Sequence, residues 1–264
     1  IIDGIDANVV DQITAAGCVL NKVEGMNINY LGFNTDVITD PEVRKALSQA
    51  VNVPELVESL YRGYATEATT ILPSFMPGYS DGITRPSYDP EAAQATLQEK
   101  GVTQIHMLAY TNPRPYNTAT GQTLAEALQG YWSKVGITCT IDAYDWTTYK
   151  EKIGTGDYDV CLYGWIGDNG DPDNFLNLLD SEDIEINLAQ YHDEEYSQML
   201  AAAASLPNGD ERNAAYGEME QKIADENVWL PISHQENLAA YVSNVQNFIY
   251  HPTGNTYLSQ TYKN

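Results

Sequence analysis

The sequence predicts an α/β body over about residues 36–230 held between two β-rich ends, the layout of a domain inserted into another with the chain crossing twice. Three observations predict it. Asp-Pro and Asn-Val-Pro starts precede amphipathic helical stripes. Short apolar or alternating runs bounded by Gly, Pro, Asn or Asp alternate with helices between about 104 and 180. After Val228 no helical stripe returns, and the texture matches the strand-like opening 34 residues. At 264 residues the chain can form one large domain or two modest ones.

In TDPEVRKALSQAV, Asp40 supplies a cap and Pro41 fits the first helical position, where the missing amide costs nothing. Val43, Ala46, Leu47, Ala50 and Val51 form an i, i+3, i+4, i+7, i+8 stripe that must face a core. The same device starts a helix at Pro54 and ends it at Gly63, and starts another at Asp89 and Pro90 that ends at Gly101. A longer helix covers Thr118 to Val135, burying Leu124, Leu128, Tyr131, Trp132 and Val135 before Gly136 stops it. QIHMLAY (104–110), GITCTIDAY (136–144) and YDVCLYGW (158–165) predict strands, and two further helices follow at 193–205 and 210–225. GCVLNKV and INYLGFN at one end, and VWLPISHQ and NLAAYVS at the other, read as strands able to pair.

Charge narrows the function. With 37 Asp+Glu against 13 Lys+Arg, the net charge of −24 repels a phosphate backbone and an anionic bilayer surface, so nucleic acid and peripheral membrane partners are excluded. Apolar residues at 43% and charged residues at 19% describe a chain that buries a core. No apolar run approaches the roughly 20 residues that span a bilayer. No signal segment opens the sequence, and Ile1 stands inside an ordered pattern, which is expected of a piece of a longer protein. Cys18, Cys139 and Cys161 form no CxxC, which removes zinc-knuckle and dithiol chemistry; Cys139 and Cys161 read as buried small hydrophobes. Nineteen tyrosines suit a tyrosine-rich core or a wet cleft for a polar ligand. A monomer without cofactor or metal is expected.

No HExxH, GxSxG, P-loop or GxGxxG occurs, and the four histidines share no ligand spacing. The acidic run Asp168 to Asn174 lacks the EF-hand order and its distal Glu, and Asp171-Pro172 repeats the cap-and-start device. Asp168 follows the apolar run Val160 to Trp165, beyond a strand end, where open α/β sheets place ligand crevices. It can hold a ligand ammonium or bond nearby backbone N–H groups. Arg114, in YTNPRPYN, follows a strand between two stiffening prolines and suits bidentate capture of a carboxylate, or a surface ion pair. The enzymatic alternative is a carboxylate-pair glycosidase drawing on Asp168, Asp171 and Asp173, which Pro172 and the helix start make a poor catalytic pair.

YLGFNT (30–35), DPEVRKALSQAV (40–51), YDPEAAQATLQEKG (88–101), KVGI (134–137), DWTTYKEKIGTGDYDVCLYGWIGDNGDPDNFL (145–176) and PTGN (252–255) together resemble extracellular solute-binding proteins of the peptide and nickel family, family 5. The likeness is closest to the dipeptide-binding members and only to their C-terminal half. The resemblance implies an α/β lobe of the periplasmic-binding-protein type II kind. Residues 1–35 would be a β-rich remnant of the N-terminal lobe, 36–230 the C-terminal ligand-binding lobe, and 231–264 a β-rich return into the N-terminal lobe. It implies the extracytoplasmic substrate-binding component of an ABC importer, periplasmic or lipid-anchored, that takes a di- or oligopeptide and delivers it to a permease. In the family pattern the aspartate after Gly-Trp-x-Gly, here Asp168, takes the peptide ammonium. The arginine of Arg-Pro-Tyr-Asn, here Arg114, takes the carboxylate, and Trp165 lines the pocket. Receptors for carbohydrates or metal chelates in the same family are the alternative. With one lobe short, both Asp168 and Arg114 are expected to face solvent.

Overall fold

The chain opens with β1 (Ile2–Asp3) and a short helix α1 (Val10–Ala15) where the sequence reads as strand throughout. Asp6 accepts the Asn8 N–H at 2.7 Å and starts a tight turn that runs into this helix, a local bond that periodicity does not register. The computed structural model describes residues 1–181 and 186–264. Strands β2 (Cys18–Glu24) and β3 (Asn27–Phe33) follow, then α2 (Pro41–Gln49) and α3 (Val53–Tyr61). Asp40 and Asn52 cap them as the sequence requires, and α3 closes through Arg62 and Gly63, both with positive φ.

After β4 (Ala65–Glu67) comes α4 (Pro90–Glu99), with Asp89 accepting the Ala92 N–H at 2.9 Å. Strand β5 (Gln104–Tyr110) leads to α5 (Gly121–Lys134), which starts three residues later than the sequence suggests because Thr120, not Thr118, caps it. The body continues with β6 (Thr138–Tyr144), α6 (Trp146–Ile153), β7 (Val160–Ile166), one turn of helix α7 (Asp173–Leu176), α8 (Glu194–Ser205) and α9 (Asp210–Glu226). The long strand β8 (Trp229–Val242) is followed by four two-residue strands, β9 (Val245–Gln246), β10 (Ile249–Tyr250), β11 (Thr256–Tyr257) and β12 (Tyr262–Lys263).

One mixed sheet takes the first eight strands in the order β1-β8-β3-β7-β5-β6, with β2 and β4 also paired to β8, while β10 pairs with β11 and β9 with β12 apart from it. β5 lies parallel to β6 and β7, joined by helical crossovers, whereas β3 runs antiparallel to both β7 and β8. The two ends do pair: the second half of β8 takes β2 over Cys18–Glu24 and β1 at Ile2 and Asp3, while its first half takes β3 and β4. Between β2 and β3 the chain changes neighbours at Gly25, where any Cβ would collide with the Asn27 side chain and the Gln235 carbonyl. The Asn27 amide bonds the Gln235 backbone at both its N–H (2.7 Å) and its carbonyl (3.0 Å), replacing ladder bonds at that break.

Apolar side chains fill both faces of the sheet. Leu31, Leu47, Leu56, Leu128, Trp132 and Leu162 centre one cluster; Ile28, Tyr30, Leu72, Phe175, Tyr196 and Trp229 centre the other. Tyr131, expected inside, is only half-buried, while Trp132 is fully buried and donates its indole N–H to Leu47 O at 3.0 Å. Cys139 and Cys161 are buried and free, as their alternation implies. Arg44, within the polar face of α2, is also buried and donates to the carbonyls of Ile38, Thr39, Glu226 and Asn227, locking α2 to the end of α9.

Candidate functional site

The segment after β5 makes a tight turn in which Arg114 and Asn117 exchange backbone bonds, Arg114 N–H to Asn117 O at 2.9 Å and Asn117 N–H to Arg114 O at 2.8 Å. The guanidinium carbon of Arg114 lies 3.9 Å from the ring centre of Trp146, the first residue of α6, which Asp145 caps through the Thr147 and Thr148 amides. Arg114 Nε is buried and, among the described residues, has no hydrogen-bond partner, although the Tyr116 hydroxyl lies against the guanidinium. Tyr116 covers β7 because residue 164 is glycine: a Cβ there would strike the Tyr116 ring and the Ile28 carbonyl. Tyr110, Tyr116, Tyr149, Tyr163 and Trp146 form one aromatic cluster beneath the guanidinium. Burial pushes the Tyr116 phenol well above its usual range, with Arg114 opposing that rise.

Arg114 borders a cleft of about 490 Å³. One wall carries Pro113, Pro115, Thr118 and Ile166; the other comes from the paired chain ends, including Asp6, Leu238, Tyr250 and Thr253. The expectation that Arg114 faces solvent is therefore corrected. It is half-buried, because the aromatic cluster and the Gly164 gap let its stem lie against the sheet and the chain ends stand opposite.

Asp168 is exposed, as expected. Its carboxylate does not take neighbouring backbone amides. Asn174 Nδ2 donates to Asp168 Oδ2 at 3.3 Å, and Asn174 Oδ1 accepts the Asp168 N–H at 2.9 Å and the Trp165 indole N–H at 3.1 Å. One asparagine thus ties Trp165 to Asp168. Trp165 itself leans partly on the Phe175 core cluster, and the residue of β7 that enters the cleft wall is its neighbour Ile166, two positions before Asp168. Asp171 is spoken for: Arg212 grips it bidentately at 2.7 and 3.1 Å, and it accepts the Asp173 N–H; α7 starts one residue later than Asp171-Pro172 suggests, with Pro172 in the cap position. Burial and the nearby Asp171 raise the Asp173 pKa. His106 bonds Asp142 at 3.0 Å on the β5–β6 surface. Among the described residues no three His, Cys, Asp or Glu side chains converge on a point that could hold a metal, and no helix is long and apolar enough to cross a membrane.

Residues 2–186 match the model described as bacterial extracellular solute-binding proteins, family 5 middle. The chain belongs to this family. Its members are substrate-binding transport proteins, and its fold is that of type II periplasmic binding proteins. The heme-binding protein A of Haemophilus influenzae is 31% identical over 247 residues, which are 89% of this chain and 44% of that protein. The dipeptide-binding protein of Escherichia coli is 30% identical over 89% of this chain and 45% of its own length. Among solved structures, HbpA2 from Haemophilus parasuis superposes with a TM-score of 0.88 at 27% identity, covering 98% of this chain and 52% of that one. The dipeptide binding protein of Pseudoalteromonas sp. SM9913, in complex with Met-Leu, gives 0.87 at 24% identity, a likeness of fold. The chain spans about half the length of the curated relatives it matches.

Sequence reading missed Trp146, Asn174 and Gly164. Trp146 carried a signal, since it follows the capping Asp145 directly and so begins a helix at the sheet's ligand edge. Asn174 lies within the quoted Asp-rich run, but only the turn of α7 brings it back to Asp168.

Proposed function

We propose that this chain forms the ligand-clasping part of an extracytoplasmic substrate-binding component of an ABC importer and that its ligand is a di- or oligopeptide. The observation that carries the proposal is the buried Arg114 Nε, without a partner among the described residues, on a guanidinium stacked against Trp146 at the edge of a cleft of about 490 Å³. A buried donor left unpaired costs roughly 1–3 kcal/mol, so the group is poised for an acceptor, and a planar fork fits a carboxylate bidentately. Asp168, whose Oδ1 has no protein hydrogen bond among the described residues, is the counterpart for a ligand ammonium, with Trp165 beside it. An extended dipeptide spans roughly 7 Å, so a fixed anion and cation would read length as well as charge.

In this reading residues 36–230 act as the ligand-binding lobe, and 1–35 with 231–264 belong to the opposite lobe. Strands β3 and β8 then serve as the crossings between them. Names of relatives support peptides as the ligand class. A periplasmic or lipid-anchored location, a permease partner and a monomeric state complete the proposal. It is tested in the protein at its full natural length by titration calorimetry with a dipeptide, its N-acetylated form and its C-terminal amide. With the opposite lobe closed over the ligand, acetylation leaves a covered Asp168 without its ammonium and should cost roughly 2–5 kcal/mol. Arg114→Lys should weaken the free dipeptide while barely changing the amide. Equal affinities for all three ligands would end the proposal.

A further inference from the structure

A chain of buried hydrogen bonds runs beneath the Arg114 turn. Asn29 Nδ2 on β3 donates to Tyr61 Oη on α3 at 3.1 Å. Tyr61 Oη donates to Asn117 Oδ1 at 2.9 Å, and Asn117 Nδ2 donates to Tyr110 Oη on β5 at 3.0 Å. All four side chains have no solvent exposure. Asn29 and Ser233 both stand on the accepting side of the Tyr61 oxygen, so its single proton goes to Asn117, and that sets which way round the Asn117 amide stands. Asn117 is also the backbone partner of Arg114 in both directions. The position of the guanidinium over Trp146 is therefore set from below, by a residue on a different helix that lies outside the cleft wall.

We propose that Tyr61 is a positioning residue for ligand recognition: through Asn117 it holds the Arg114 turn in the one register that keeps the guanidinium stacked on Trp146 and its Nε free for a ligand acceptor. Removing the hydroxyl strands the Asn29 amide, the Ser233 hydroxyl and the Asn117 carbonyl where water does not reach, and Asn117, the one acceptor among them, relieves its loss by rotation or displacement, which drags the Arg114 backbone with it. Packing alone does not ask for the hydroxyl, since phenylalanine fills the same volume.

The inference rests on the peptide reading for its binding consequence, but not for its structural one. In Tyr61→Phe, hydrogen exchange at the Arg114 Nε–H, followed by nitrogen-15 NMR of the arginine side chains, should accelerate at least tenfold. The Nε–H groups of Arg44, bonded to Glu226 and Asn227, and of Arg212, bonded to Ala203, should be unchanged. In the full-length protein the same substitution should weaken a free dipeptide about tenfold and its C-terminal amide less than twofold. If all three arginines accelerate together, or if Arg114 does not change, the positioning role is wrong. If Arg114→Lys also fails to separate free from amidated ligand, the carboxylate reading falls while the exchange result still judges the hydrogen-bond chain. Should Tyr61→Phe not fold, Tyr110→Phe opens the same chain at its far end and is read by the same exchange.

Discussion

Glu220 gives the sharpest test of the fold's energetics. It sits on α9 with 2% exposure, and its carboxylate accepts the Leu72 and Ser80 amides at 3.2 Å each, pinning the segment between β4 and α4. Burial outweighs these bonds and the contact with Thr70, and pushes its pKa up from 4.5 to about 7. Between those values the native chain holds a proton that the unfolded chain has released, so stability falls as pH rises through the window. At 1.36 kcal/mol per pH unit the full loss is about 3 kcal/mol. His234 works oppositely: burial, against its bond to the Asn27 carbonyl, lowers its pKa to about 4, so stability falls as pH drops below 6.5. The two nearly cancel in the wild type between pH 4.5 and 6.5, and the difference against Glu220→Gln isolates the carboxylate. That variant mimics the protonated acid and should gain about 3 kcal/mol on the wild type between pH 5 and pH 8, or about 6 °C in Tm at roughly 2 °C per kcal/mol. Thermal melts at half-unit pH steps measure this. A difference that stays flat from pH 5 to 8 would show that Glu220 is ionised in the native state throughout, and the burial argument would fail.

Gly164→Ala should destabilise the chain by roughly 1–3 kcal/mol, because the new methyl meets the Tyr116 ring and a backbone carbonyl that cannot both yield; urea unfolding reads the loss, and an unchanged midpoint refutes the close-packing argument. Arg212→Ala removes four bonds to Asp171, Asn208 and Ala203 and leaves the partly exposed Asp171 without its cation, so a loss of about 2 kcal/mol should appear in the same assay, and a change under 0.5 kcal/mol would refute it. Trp132→Phe should cost roughly 1–2 kcal/mol beyond any repacking, since the Leu47 carbonyl loses its indole donor in a dry core; a neutral effect would mean that carbonyl is satisfied elsewhere.

The sequence by itself determined where most elements lie. Each helix from 40 to 226 carries its own cap or stop within one turn, and a stripe at spacing 3 and 4 shows which face is buried, so Asp40, Asp89 and Gly101 could be placed without the fold. Strand β5 was legible for the same reason, being a short apolar run with turn residues at both ends. Arg114 and Asp168 stood out as charged residues beyond strand ends, and the resemblance added their ligand roles and Trp165, the penultimate residue of β7. Only the tertiary structure decided what surrounds them. Arg114 is half-buried because Gly164, 50 positions later, leaves room for Tyr116, and Trp146 from a third element slides under the guanidinium. The α1 turn, the burial of Arg44 and the Asn29–Tyr61–Asn117–Tyr110 chain were equally invisible. Local order is written in bonds between residues three or four apart, which a sequence displays. A site is made of contacts between residues tens of positions apart, and those exist only once the sheet has set its register.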